Sequence, residues 1–446
     1  MRRFTVAAVA LALVAASARA QEPARIKIDA YTLPNGLRVQ LVEDHSSQVV
    51  AVDLWYDVGA RNEVAGRTGF AHLFEHMMFQ GSKQLKKVEH SSLIEKAGGR
   101  DNASTQYDVT NYFEFLPSNR LNLALWLEAE RMRGLAVTDS TLHNQVEAVK
   151  EERRLRVDNQ PYSKAIWEGT LLAFDAKTCF GYGHSLIGSM SDLEAAKVED
   201  VQGFFKMYYA PNNVTLTVVG DFNPAETKKL IAEYFGGIAR QPAPPAVTCE
   251  QKFHTGAVRQ RIGDDKATLP AVLTLYRIPA TSSAEMPALD LLSTILGSGE
   301  SSRLNKVLSR ETKAALAAQT LVNPFGPRRG PGMFIGLAIA NQGVAVDSLE
   351  KLLASEVAKI AQSGVTEAEL TKAKNQYRAN KLEERQRAFA LAEAVQFANT
   401  YLGSPEAVNT DLDRYAKVTV DDIKRAAAAY LTPDNALTLI IVPEKK

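Results

Sequence analysis

Hydrophobic and polar positions follow two periods along this chain. Residues 31–39 read as strand, tight turn and strand, with Asn35-Gly36 supplying the positive-φ positions of a short hairpin. Residues 49–56 form a Val-rich stretch with period-two alternation, a further strand. Residues 59–69 then read as loop. Period two returns over 107–116, where Asp108, Thr110, Tyr112 and Glu114 alternate with Val109, Asn111, Phe113 and Phe115. Residues 121–132 and 141–157 instead carry apolar residues at helical spacing.

One part of this pattern occurs twice. Val198, Tyr208, Pro211 and Asn213, followed by an apolar strand, return as Val420, Tyr430, Pro433 and Asn435 before another, an offset of 222 residues. Each copy is an amphipathic helix, a Pro-Asn turn and a strand, which argues a duplicated domain. A Pro-rich stretch at 239–248 suits an extended linker between residues 21–238 and 249–446. Strands and helices on both sides of it predict an α+β or mixed α/β unit whose sheet is covered by helices.

Chemistry concentrates in His72-Leu73-Phe74-Glu75-His76. On a helix, positions i and i+4 share a face and i+3 lies beside them, so His72 and His76 can address one metal ion with Glu75 adjacent. Imidazole and carboxylate donors suit zinc. Reversing the commoner His-Glu-x-x-His order preserves the pairing. The plain alternative is a buried helix with two satisfied histidines. A third protein donor is needed, and residues 144–154 offer Glu147, Glu151 and Glu152 on a second helix.

His-x-x-Glu-His followed by this Val-x-x-Glu-like segment resembles the inverzincin metallopeptidases, the group of pitrilysin, insulin-degrading enzyme and the mitochondrial processing peptidase. The resemblance implies two similar α/β-roll domains related by duplication, each a mainly antiparallel sheet covered by helices. It implies one zinc ion per chain, held by His72, His76 and Glu152, with Glu75 as general base in peptide hydrolysis; Glu147 and Glu151 are then solvated charges. Where many members carry a second glutamate seven residues before the ligand, this chain has Gln145, an amide that orients a neighbour but exchanges no proton. Gly98-Gly99-Arg100-Asp101-Asn102-Ala103 is similar to the family segment whose strand pairs with an extended substrate, implying contact through Asn102, Ala103 and Ser104. The alternative is an interior hairpin strand whose Asn closes a turn.

The second copy has no such motif, and its histidine, His254, is isolated. In the family, the domain facing the zinc often supplies an Arg and, seven residues later, a Tyr; here Arg310 is followed at that spacing by Ala317. The resemblance therefore implies the catalytic subunit of a heterodimer whose zinc-free partner supplies the Arg-Tyr pair, with a homodimer as the alternative. A scaffold that binds peptides without hydrolysing them is the competing function. The stretch from Gly326 to Gly332 reads as a hairpin turn, or alternatively a substrate-guiding loop.

Arg2 and Arg3, an apolar run and Ala18-Arg19-Ala20 read as a signal peptide over residues 1–20, which places the mature chain in the periplasm or outside the cell. No later run is apolar enough to span a membrane. A net charge of +1 gives no electrostatic reason to expect nucleic acid as a partner. In an exported protein the two cysteines, Cys179 and Cys249, could form one disulfide.

Overall fold

A computed structural model describes residues 24–444 apart from Phe325; the leader at 1–20 lies outside them. Among the described residues, eleven strands form two sheets. The first contains β1 (Asp29–Thr32), β2 (Arg38–Glu43), β3 (Val49–Tyr56), β4 (Arg100–Thr105), β5 (Thr110–Pro117) and β6 (Val214–Gly220) in the order β1-β2-β6-β3-β5-β4. The second contains β7 (Val258–Asp264), β8 (Ala271–Ile278), β9 (Ala315–Val322), β10 (Gly332–Ala340) and β11 (Ala436–Pro443) in the order β7-β11-β8-β10-β9. Apart from β1 the orders coincide, and in each the single parallel pair joins the first strand of the repeat to its last, β2 with β6 and β7 with β11. The chain is a duplicated α+β fold.

The repeat extends to single hydrogen bonds. Asn213 Nδ2 donates to the carbonyls of Tyr208 and Asp57, and Asn435 Nδ2 donates to those of Tyr430 and Arg277. In both halves a buried amide thus ties the end of a helix, Val198–Tyr208 or Val420–Tyr430, to the end of the central strand. Buried carbonyls need such donors.

The two halves exchange helices. Ala388–Tyr401, from the C-terminal half, lays Leu391, Ala392, Val395 and Ala398 on Val42, Ala51 and Val219 of the first sheet. Ser163–Leu171, from the N-terminal half, packs Ala165 against Ala271 and Ile441 of the second. Contact there is close: a Cβ on Gly169 would meet Leu439 Cδ1 at 1.9 Å. This exchange explains β3, whose alternation predicts one wet face but whose residues 50–56 are all buried, because the borrowed helix covers the second face. The strand expected over 107–116 is also shorter: residues 106–109 turn the chain between β4 and β5, with Tyr107 anchored to the His184 carbonyl and Asp108 buried.

Cys179 and Cys249 are disulfide-bonded across 70 residues, beside an apolar cluster in which Phe174 and Tyr182 meet Leu273, Met333 and Leu439. Among the described residues no helix is long and apolar enough to cross a membrane.

Candidate metal centre

The motif folds as the helix Phe70–Met77, which buries Phe70, Leu73, Phe74 and Met77. Its start is set from outside. Gly69 adopts φ 84° where a Cβ would meet the Ile187 carbonyl at 2.7 Å. Glu63 then caps the first turn, accepting from the N–H groups of Gly69 at 2.8 Å and Ala71 at 2.7 Å. This carboxylate is itself held by His184 Nε2 at 2.9 Å. Nothing in the motif signals Glu63 or His184; a carboxylate seven residues before the helix is visible only once the loop has folded back.

The helix Asp139–Arg153, opened by a capping box at Thr138, carries Glu152 to the same point. Glu152 Oε2 lies 3.5 Å from His72 Nε2 and 3.2 Å from His76 Nε2. The three donor atoms all fall within 4.8 Å of one another. Donors on a tetrahedral zinc at about 2.1 Å stand about 3.4 Å apart, so the set fits that ion. Glu147 instead pairs with Lys150 and Glu151 with Arg154, away from this point. Arg156 takes the other oxygen, Oε1, of Glu152 at 3.0 Å. Gln145 is buried, and its amide sits against His76.

Electrostatics distinguish the members. Burial, with the neighbouring His76, pushes His72 down to about 4, so it is a neutral donor through the physiological range. Burial also works against charge on His76, but its bond to Glu152 and the nearby Glu75 carboxylate outweigh it and hold this imidazole above its ordinary value. Glu152 is held low by the bond from His76. Burial raises Glu75, a direction that suits a base meant to hold a proton transiently. Glu75 is oriented by Thr105, whose hydroxyl donates to Oε2 at 2.6 Å.

Thr105 ends β4, the outermost strand of the first sheet. Asn102, Ala103 and Ser104 precede it, and all four residues line a cleft of about 710 Å³ with the histidines and Glu152. The free edge of β4 thus runs past the donor set. Ser104 Oγ donates to Asn111 on β5, and Asn102 Oδ1 accepts from the N–H of Ala103. The β9–β10 loop contributes Asn323, Gly326 and Arg328 to the lining of the same cleft, so this hairpin connection reaches it.

A second group of donors, His90, Glu114 and Glu128, lies buried behind β5. Arg131 already occupies the cation's place there, bonded to Glu128 at 2.7 Å and Glu114 at 3.4 Å. It is an ion-pair core.

Residues 38–178 match the family described as insulinase, peptidase family M16, and residues 195–377 match the peptidase M16 inactive domain. The zinc protease PqqE of Helicobacter pylori is 30% identical over 446 residues, 99% of this chain and 98% of that one. The chain belongs to the peptidase M16 family. A crystal structure of a protease from Helicobacter pylori superposes with a TM-score of 0.87 at 28% identity, covering 94% of this chain and all of that one. A probable mitochondrial-processing peptidase subunit beta of Arabidopsis thaliana is 24% identical over 361 residues, 79% of this chain and 66% of that protein. M16 relatives named as zinc proteases support a peptidase role and zinc as the metal.

Proposed function

We propose that the chain is a zinc-dependent endopeptidase acting on peptides or unfolded polypeptide segments. The observation that carries the reading is the convergence of His72, His76 and Glu152 beside a Glu75 carboxylate oriented by Thr105. The metal-bearing domain is residues 21–238, joined by 239–248 to a duplicate, 249–446, that lacks the motif.

His72, His76 and Glu152 would hold the ion, and Gln145 steadies His76. Zinc bound there would acidify a water and polarise the scissile carbonyl. Glu75 accepts the proton of the attacking water and returns it to the leaving amine. The substrate adds as a strand along β4, its backbone meeting that of Asn102, Ala103 and Ser104. This strand edge has no sequence preference of its own, which suits extended segments rather than folded proteins.

The resemblance implies an Arg-Tyr pair as donors for the developing oxyanion, and this chain lacks the tyrosine at that spacing. Arg310 is paired with Glu300 at 2.6 Å, and Ala317 stands at the position seven residues on. We therefore read the chain as one subunit of a heterodimer with a zinc-free homologue, a homodimer being the alternative, working in the periplasm or outside the cell.

The test compares the mature chain, purified with any co-purifying partner, with its Glu75→Gln variant for zinc content and for cleavage of a quenched unstructured peptide library. Cleavage by the chain alone would overturn the need for a partner but not the peptidase reading. Near-stoichiometric zinc in both and cleavage in the parent alone is the expected result. Absence of zinc, or cleavage that survives Glu75→Gln, overturns the reading. Zinc with no cleavage even beside any co-purifying chain favours a non-hydrolytic peptide-binding subunit.

A further inference from the structure

A second cavity, of about 680 Å³, opens between the borrowed helix Ala388–Tyr401 and the helices Met286–Gly297 and Glu367–Glu384. Gln106 and Arg328 line both this cavity and the metal cleft, so the two spaces meet there. Gln106 follows directly on β4. A substrate strand paired with β4 and continuing beyond Thr105 runs out at this junction.

Arg328 is held at the junction by its backbone. Asp108, 1% exposed, accepts at Oδ2 from the N–H groups of Arg328 at 2.7 Å and Arg329 at 3.0 Å, and Thr281 N–H donates to the Arg328 carbonyl at 2.8 Å. Arg329 commits its guanidinium to Asp57 at 2.7 Å. Arg328 does not. Its guanidinium lies over the rings of Phe397 at 5.4 Å and Tyr401 at 6.0 Å, and makes no hydrogen bond or ion pair among the described residues.

Acidic groups on the cavity wall are occupied elsewhere. Asp290 accepts from the Tyr415 hydroxyl, Asp411 pairs with Arg414, Glu384 with Lys381, and Glu393 accepts from Trp55 and Asn111. Burial raises Asp290 to about 6, against the opposing pull of its Tyr415 bond and of the Arg328 charge, and raises Glu393 above its ordinary value. At the other end of the loop Asn323, 1% exposed, lines the metal cleft with its Nδ2 donor unpartnered among the described residues. The loop therefore presents two hydrogen-bond donors, one of them cationic; Asp290 feels the charge of Arg328, but among the described residues no acid is hydrogen-bonded or ion-paired to it.

We propose, resting on the peptidase reading, that Arg328 determines specificity by pairing with a carboxylate on the substrate segment that leaves the metal cleft past Gln106. A guanidinium stacked on aromatic rings is rigid and partly dehydrated, which strengthens its fork of donors toward a planar carboxylate. The carboxylate is either an acidic side chain or the terminus of the peptide.

The experiment measures binding of fluorescent unstructured peptides to the Glu75→Gln chain, purified with any co-purifying partner, so that nothing is cleaved. Peptides differ by Glu against Gln at successive positions and by a free against an amidated C-terminus. A preference of about tenfold for a carboxylate at one position, lost in the added Arg328→Gln variant and weakened in Arg328→Lys, which keeps the charge but not the stacked fork, is the expected result. Sensitivity to Glu→Gln identifies an acidic side chain, and sensitivity to amidation identifies the terminus. Peptide binding without a carboxylate preference, or with one that survives Arg328→Gln unchanged, overturns the inference and leaves the peptidase reading standing. Failure of every peptide to bind overturns both.

Discussion

Thr105 donates its hydroxyl to Glu75 Oε2 at 2.6 Å, so the last residue of the strand expected to bind substrate also orients the proposed base. In the proposed mechanism, substrate pairing and proton transfer meet at this one side chain. Thr105→Val keeps the shape and the β-branch but removes the donor. We expect zinc content to be unchanged and kcat to fall about 10- to 100-fold, the range seen when a group supporting a metal site is removed. KM should change little. Equal loss in KM would instead assign Thr105 to strand pairing alone.

Asp53, fully buried, and Glu393, half-buried, form a carboxyl pair where the borrowed helix meets β3. Glu393 Oε1 accepts from Trp55 Nε1 at 3.2 Å and from Asn111 Nδ2 at 2.9 Å, and Asn111 also reaches Asp53 at 3.4 Å. Burial raises both carboxyls, and Asp53 is raised further by the neighbouring Glu393. Folded protein therefore binds more protons than unfolded protein above the ordinary carboxylate range. Stability is fullest below that range and is lost as pH rises through the folded-state values. Glu393→Gln keeps the acceptor for Trp55 and Asn111 and gives Asp53 an amide donor in place of an acid. Thermal unfolding followed from pH 4 to 8 should show a flatter decline in this variant and a higher midpoint at pH 8. An unchanged slope would mean that the pair holds no extra proton.

Much of this architecture was legible in the residues. The offset that carries Asn213 to Asn435 predicted the duplication, and the structure repeats even the carbonyls those amides reach. His72 and His76 share a face because any helix puts them there. Thr105, Glu63 and Arg328 were not legible, for a common reason: each acts on an element distant in sequence, through a turn or loop whose path no periodicity encodes. Burial of both faces of β3 was hidden likewise, because the covering helix lies more than 300 residues away, at Ala388–Tyr401. The edge position of β4 was expected only from resemblance, since alternation does not tell an edge strand from an interior one.

The two asparagines give a paired test of the repeat. Asn435→Ala removes two donated bonds, and the carbonyls of Arg277 and Tyr430 lose those donors in the interior. A loss of about 2–3 kcal/mol is expected, read as a shift in the urea midpoint. Asn213→Ala should cost a similar amount, because it serves Asp57 and Tyr208 in the same way. Only the second variant stands in the half that bears the metal donors, yet both should retain zinc, since neither residue touches His72, His76 or Glu152. Loss of zinc in a folded Asn213→Ala protein would show that the strand end supports the metal helix directly.

The Cys179–Cys249 bond closes a loop that contains the helix Val198–Tyr208, β6 and the Pro-rich linker. By restricting the unfolded chain, a bond spanning 70 residues stabilises by about 2–4 kcal/mol. It persists only in an oxidising compartment, in keeping with the export signal expected at the N-terminus. Cys179 is fully buried against Phe174 and Tyr182, so serine in its place adds an unpaired hydroxyl to the lost crosslink. Reduction of the native chain separates these effects, because the thiols stay apolar. Reduction with a phosphine, which does not compete for zinc as a dithiol would, should lower the thermal midpoint by several degrees while zinc content at 25 °C stays constant, because neither sulfur is among the converging donors. Zinc release on reduction, with the fold intact by circular dichroism, would instead tie the linker crosslink to the geometry of His72, His76 and Glu152.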